Sequence, residues 1–181
     1  VFVVRNRNAN QIEESIQAFA EAIRQSQIIM IPGGFSGGDE PDGSGKFITS
    51  FFRNPLITQE VEELLGQRDG LMLGICNGFQ ALVKLGLVPF GHITENKADN
   101  PTLTFNNIGR HQSKMVRTRI ASNKSPWLAG VNVGDIHTVP ISHGEGKFVC
   151  SQSLLQKMAF NGQIATQYID LDDEPTYQVQ F

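Results

Sequence analysis

The chain has 181 residues, of which 40% are hydrophobic and 18% charged, with a formal net charge of −3. This is the balance of an ordinary globular protein able to bury its own core, and it gives no electrostatic basis for binding nucleic acid or an anionic membrane. No apolar run approaches the roughly 18 residues that a bilayer span needs, no stretch reads as a signal peptide, and two cysteines suit a reducing compartment better than a disulfide scaffold; the expected location is cytoplasmic.

Residues Val1 to Val4 read as a short strand or strand end, followed by a polar loop. Ile12, Ile16, Phe19 and Ile23 then recur at helical spacing, with Glu13, Glu14, Gln17 and Glu21 elsewhere around the helix. Ile28 to Ile31 is an apolar strand stopped by Pro32-Gly33-Gly34, and Lys46 to Phe52 predicts a brief helix broken at Asn54-Pro55. Thr58 is the expected N-cap of a helix running through Leu65, with Glu60 and Glu62 in its first turns. Beyond Pro89 the texture changes to β-prone pieces: Thr102 to Phe105, Lys114 to Ile120, Thr138 to Ile141, Gly146 to Cys150, Ile164 to Ile169 and Thr176 to Phe181. Only Leu154 to Phe160 predicts a helix there. Alternating strands and helices followed by antiparallel ribbons imply an α/β fold, an open sheet with a mixed extension. No internal repeat or low-complexity linker divides the chain, so a single domain over residues 1–181 is expected. Val1 opens inside an apolar run without an initiator Met, and Phe181 closes a period-two run; both ends therefore suggest a segment truncated from a longer polypeptide.

The most informative stretch is Asp69 to Leu85, DGLMLGICNGFQALVKL. Leu71 to Ile75 suits a buried strand, and Phe79 to Leu85 suits a helix. Between them, Gly74-Ile75-Cys76-Asn77-Gly78 has the form of a nucleophile elbow, a strained strand-to-helix turn that exposes a reactive side chain at its tip. Its flanking glycines admit close backbone approach, and the positive end of the helix dipole lies nearest the sulfur. The alternative is a buried structural cysteine. Pro32-Gly33-Gly34-Phe35-Ser36-Gly37-Gly38-Asp39 ends the preceding strand, where loops of open α/β sheets line ligand crevices. There the N–H groups of Gly34 and Asn77 are placed to converge on one oxygen as an oxyanion hole; the alternative is a flexible turn.

Other segments are less specific. Gly43-Ser44-Gly45-Lys46 fails the phosphate-loop pattern, because Glu40 stands where a glycine is needed and Phe47 where a hydroxyl is needed. The acidic residues Asp39, Glu40 and Asp42 lack the ligand order of a calcium loop. In Ser142-His143-Gly144-Glu145-Gly146, His143 and Glu145 read as an acid/base pair, a metal pair or plain loop residues, and no third ligand stands nearby. His92, His111 and His137 stand alone, Cys150 reads as a core residue, and Arg110, Lys114, Arg117 and Arg119 form a solvated face or a docking surface.

In order along the chain, PGGFS…GD, LGICNGFQ, NPTLTFNN, SPW and SHGEG resemble the class I glutamine amidotransferase domain of phosphoribosylformylglycinamidine synthases, enzymes of purine biosynthesis. The resemblance runs from about Ile12 to Gln180, and the GGDEPDGSGKFI stretch is similar to the long-chain form of these enzymes. It implies a flavodoxin-like, mostly parallel open sheet with helices on both faces and an antiparallel β extension. It further implies that Cys76 is the nucleophile, that Gly34 and Asn77 supply oxyanion N–H groups, and that Gln80 contacts substrate glutamine. Ser142, His143 and Gly144 match the segment that holds the amino-acid end of glutamine, partly through backbone groups.

The implied reaction is glutamine hydrolysis through a cysteine thioester, with the ammonia passed to a synthetase domain of the same polypeptide. No cofactor or metal is expected in this domain, whereas ATP and Mg are expected in the synthetase part. The partners are then L-glutamine and the synthetase domain, not nucleic acid or membrane. The family's His/Glu motif does not occur in these 181 residues, so little or no glutaminase activity is expected of this segment alone. Two other readings stay open on sequence: a cysteine hydrolase or chaperone-like protein sharing the elbow, and an inert docking segment.

Overall fold

The structure, a computed structural model, describes residues 3–34, 45–95 and 97–176. These gather into two compact units, Val1–Ala98 and Asp99–Phe181.

The first unit begins with α1 (Ala9–Arg24), capped by Asn8, whose side chain accepts from the Gln11 N–H. Ile16, Ala20 and Ile23 bury the inner stripe that the 3.6-residue period defines, while Ile12 stays 43% exposed. Strand β1 (Ile28–Ile31) runs parallel to β2 (Leu71–Gly74), in register from Ile28 opposite Leu71 to Ile31 opposite Gly74. Between them come α2 (Lys46–Phe52) and α3 (Pro55–Gly66). After β2 follow α4 (Asn77–Leu85) and the short α5 (Leu87–Phe90). The core joins all three layers: Ile16 and Ile23 from α1, Ile31 from β1, Phe52 from α2, Ile57, Val61 and Leu64 from α3, and Leu82 and Leu85 from α4. Glu60, buried on α3, is bridged by Arg24 of α1 at 2.6 Å.

Among the described residues β1 pairs with β2 alone. Ile28 and Met30 remain about half exposed. A cleft of about 860 Å³ lies along this strand, lined by side chains that include Ile12, Phe19, Phe47 and Phe51, and it reaches Gly33, Gly34 and Asn77.

The second unit is antiparallel. Strand β3 (Thr102–Thr104) pairs with β6 (Lys147–Val149), and β4 (Gln112–Ile120) is the centre of a three-stranded sheet between β5 (Ile136–His143) and β7 (Thr166–Ile169). A short 3-10 turn at Pro126–Leu128 precedes β5. The helix α6 (Gln152–Phe160) is capped by Ser151, which accepts from the Leu154 N–H. Val116, Ile120, Met158 and Ile169 are buried in this second unit. The α/β class is thus borne out, with the parallel pair in the first unit and the antiparallel ribbons in the second.

Several elements differ from expectation. Val3 and Val4 carry no regular structure, and Val1 and Phe2 lie outside the described residues. Helix α3 starts three residues before Thr58. Asn54 is its cap, accepting from the Leu56 N–H at 3.1 Å, and Pro55 occupies the first turn, where its missing N–H loses nothing. The Thr58 hydroxyl instead donates to the Phe52 carbonyl. Thr176 is not in a strand, and the rest of the expected strand to Phe181 lies outside the described residues. So do Phe35 to Ser44, which hold the acidic residues and Gly43-Ser44 of the rejected phosphate loop. No helix among the described residues is long and apolar enough to cross a membrane.

Candidate active site

The first unit builds the elbow as its sequence requires. Cys76 caps α4 with φ 56° and ψ −115°, a conformation that side chains other than glycine rarely adopt. It is held there from both sides. Ile75 donates its N–H to the Ile31 carbonyl at 3.0 Å, extending the β1–β2 ladder to the brink of the turn. On the far side, Gly78 donates to the Ile75 carbonyl and Gln80 to the Cys76 carbonyl.

Both flanking glycines are forced by close approach. A Cβ at Gly74 would stand 2.6 Å from the Gly78 carbonyl oxygen, and one at Gly78 would overlap the Ile31 carbonyl. The helix therefore starts pressed against the end of β1, and the turn has nowhere to relax. The outcome is an exposed cysteine at the N-terminus of a helix, not a thiol packed among aliphatic neighbours.

The loop after β1 lies directly against this residue. A Cβ at Gly33 would stand 2.8 Å from the Cys76 Cβ and 3.5 Å from its Sγ. The next residue, Gly34, has φ 133°, a conformation suited to glycine. The continuation of the loop from Phe35 to Asp39 lies outside the described residues. Asn77 is buried in the first turn of α4, and Gln80 sits one turn along the same helix, half-buried. Gly33, Gly34, Cys76 and Asn77 thus gather at the carboxyl ends of β1 and β2, with Gln80 one turn further along α4.

Ser142, His143 and Gly144 belong to the second unit, where β5 ends. Their local order comes from Asn106, which is 3% exposed. Its backbone N–H donates to the Gly144 carbonyl at 2.8 Å. Its side-chain Nδ2 donates to the carbonyls of Arg110 (3.0 Å) and His143 (2.9 Å), while Oδ1 faces His143 Nδ1 at 2.9 Å and accepts from the Gly146 N–H at 3.1 Å. The imidazole lies over Gly146, where any Cβ would overlap the ring, which accounts for the second glycine of the SHGEG segment. Burial first, and His111 second, hold the His143 imidazole below its ordinary range.

His111 is not the isolated histidine that its sequence context suggests. Its Nε2 lies 2.9 Å from the Ser142 hydroxyl. Sequence reasoning meets Asn106 only inside the NPTLTFNN stretch and sets His111 aside as isolated, and it gives neither a role at the site. Asn106 is only the first asparagine of an Asn-Asn pair, 37 residues from the histidine it contacts, and no short-range pattern announces such a pairing.

Two members of the basic cluster are occupied within their own unit. Arg117 bridges Asp173 at 2.6 Å and donates to the carbonyls of Asp170 and Leu171, and Arg119 donates to the Asp173 carbonyl. These arginines fasten the 170–173 turn. Cys150 is partly buried, and that burial raises its thiol above the ordinary range. No three His, Cys, Asp or Glu side chains among the described residues converge as a metal site.

The profile of a family described as the CobB/CobQ-like glutamine amidotransferase domain matches residues 4–181. A protein of Methanococcus maripaludis named phosphoribosylformylglycinamidine synthase subunit PurQ is 34% identical over 149 residues, covering 82% of this chain and 52% of that protein. A protein of the same name from Trichormus variabilis is 34% identical over 151 residues, covering 81% and 58%. Among solved structures, one described as PurLQS from Thermotoga maritima matches with a TM-score of 0.57 and 26% identity, over 80% of this chain and 56% of that one. The chain spans little more than half the length of these curated relatives.

Proposed function

The chain belongs to the CobB/CobQ-like glutamine amidotransferase domain family, and from that premise we propose that it is the glutaminase part of a cytoplasmic phosphoribosylformylglycinamidine synthase. The observation that carries this reading is Cys76, exposed at a strained turn with Gly33 set against it. The names of the PurQ relatives supply the particular synthase.

In the proposed reaction, the Cys76 sulfur attacks the side-chain carboxamide carbon of glutamine. The carbonyl electron pair moves to oxygen, where the N–H groups of Gly34 and Asn77 stabilise it. As the pair returns, the C–N bond breaks and the nitrogen leaves as ammonia, taking up the thiol proton. Water then adds to the thioester, releasing glutamate and restoring the thiol. Gln80 contacts the bound glutamine, and Ser142, His143 and Gly144 hold its amino-acid end. The ammonia is consumed by a synthetase part that binds ATP and Mg²⁺ and converts formylglycinamide ribonucleotide to its amidine.

The test is covalent labelling of the complete polypeptide with a glutamine-analogue electrophile, read by peptide mass spectrometry. Modification confined to Cys76 and suppressed by excess glutamine is expected. Labelling indifferent to glutamine would overturn the proposal in favour of a different cysteine hydrolase, and absence of labelling would favour an inert docking role.

A further inference from the structure

The Asn106 side chain settles a question of chemistry that its distances alone leave open. A side-chain amide can be placed two ways round, and an imidazole nitrogen can donate or accept. Here the surroundings fix both. One end of the amide faces two backbone carbonyls, those of Arg110 and His143, which can only accept, so that end is the NH₂ group. The other end receives the Gly146 N–H, which can only donate, so that end is the oxygen. An oxygen that can only accept stands 2.9 Å from His143 Nδ1. The ring nitrogen there must carry the hydrogen, and in the neutral ring Nε2 is then the acceptor.

We infer that Asn106 is a positioning residue for glutamine recognition: it fixes His143 as the Nδ1–H tautomer and sets the 143–146 backbone that receives the amino-acid end of the substrate. This rests on the reading of Ser142, His143 and Gly144 as the segment that holds the amino-acid end of glutamine. The supporting geometry is dense. Asn106 makes contacts from both its backbone and its side chain to residues 143, 144 and 146, and it is almost wholly buried. Gly146 completes the arrangement, since any side chain there would displace the ring. The depressed basicity of His143 acts in the same direction, because it favours the neutral ring to which that tautomer belongs.

The experiment uses the complete synthase. Nitrogen-15 NMR of histidine-labelled protein, with His143→Gln to assign the signal, reads which ring nitrogen is protonated. Hydrogen on Nδ1 is expected, and hydrogen on Nε2 would overturn the inference without any variant of Asn106 having to fold. Asn106→Leu, similar in size but with no acceptor, is expected to raise KM for glutamine about tenfold with kcat within about threefold. Synthesis supported by added ammonia serves as the control for folding and is expected to be unchanged. A loss confined to kcat, or an equal loss with ammonia, would show a merely structural role and overturn the inference. His143→Ala separates the two levels. If it raises KM while Asn106→Leu does not, the positioning role fails and the glutamine-binding reading stands. If neither moves KM, the reading itself fails and the inference falls with it.

Discussion

At the scale of single residues, the candidate site is organised by contacts that leave no room for a side chain. Gly33 is the clearest case, because a Cβ there would come within 2.8 Å of the Cys76 Cβ. Side-chain carbons essentially never approach so closely, so one backbone must yield. The β2–α4 turn is pinned by Gly74 and Gly78 against their own neighbours, so the displacement falls on the loop that carries Gly34. Gly33→Ala is therefore expected to lower glutamine-dependent turnover of the complete synthase by about a hundredfold through misplacement of reacting groups. Ammonia-supported turnover should survive. Steady-state kinetics with the two nitrogen sources checks this, and equal activity with glutamine would show that Gly33 has room to spare.

At the scale of elements, the sequence was legible wherever the signal is local. The period of Ile16 and Ile23 finds α1, and the Gly-x-Cys-x-Gly turn between an apolar run and a helical one finds β2 and α4. Reading fails where one dipeptide carries two meanings. Asn54-Pro55 ends α2, but it also starts α3, since asparagine caps and proline needs no N–H in the first turn. Helix α5 spans four residues between left-handed glycines, too short to show a period. Strand β5 runs two residues past each end of the expected Thr138 to Ile141, and its Pro140 is tolerated because, among the described residues, β5 is the edge of its sheet. Asn106 is illegible for a different reason, since its partners are brought to it by the pairing of separate strands. The cap assignment is testable: Asn54→Ala should destabilise the first unit by about 1 kcal/mol, visible as a lower denaturation midpoint at unchanged slope. Thr58→Ala tests the alternative, and a larger loss there than at Asn54 would contradict the capping seen here.

At the scale of the whole molecule, the chain divides its chemistry between two units of different architecture. The first, built on parallel strands and helices, carries Cys76 and the adjoining loop; the second, built on antiparallel ribbons, carries the His143 turn. The same division gives β1 an unusual position. Its one described neighbour is β2, and it turns two half-exposed aliphatic side chains, Ile28 and Met30, toward a cleft. Among the described residues no second strand covers that flank, and a sheet edge beside oily side chains is a template on which an extended peptide can add itself. Purified by itself, the 181-residue chain should therefore stick to its own copies, with light scattering that climbs steeply with concentration. Met30→Lys, a charge placed on that flank, should flatten the climb; a chain that stays monomeric without it would show that the flank is already protected. The strand that leads into the Gly33-Gly34 loop beside Cys76 is thus also where self-association is expected to begin.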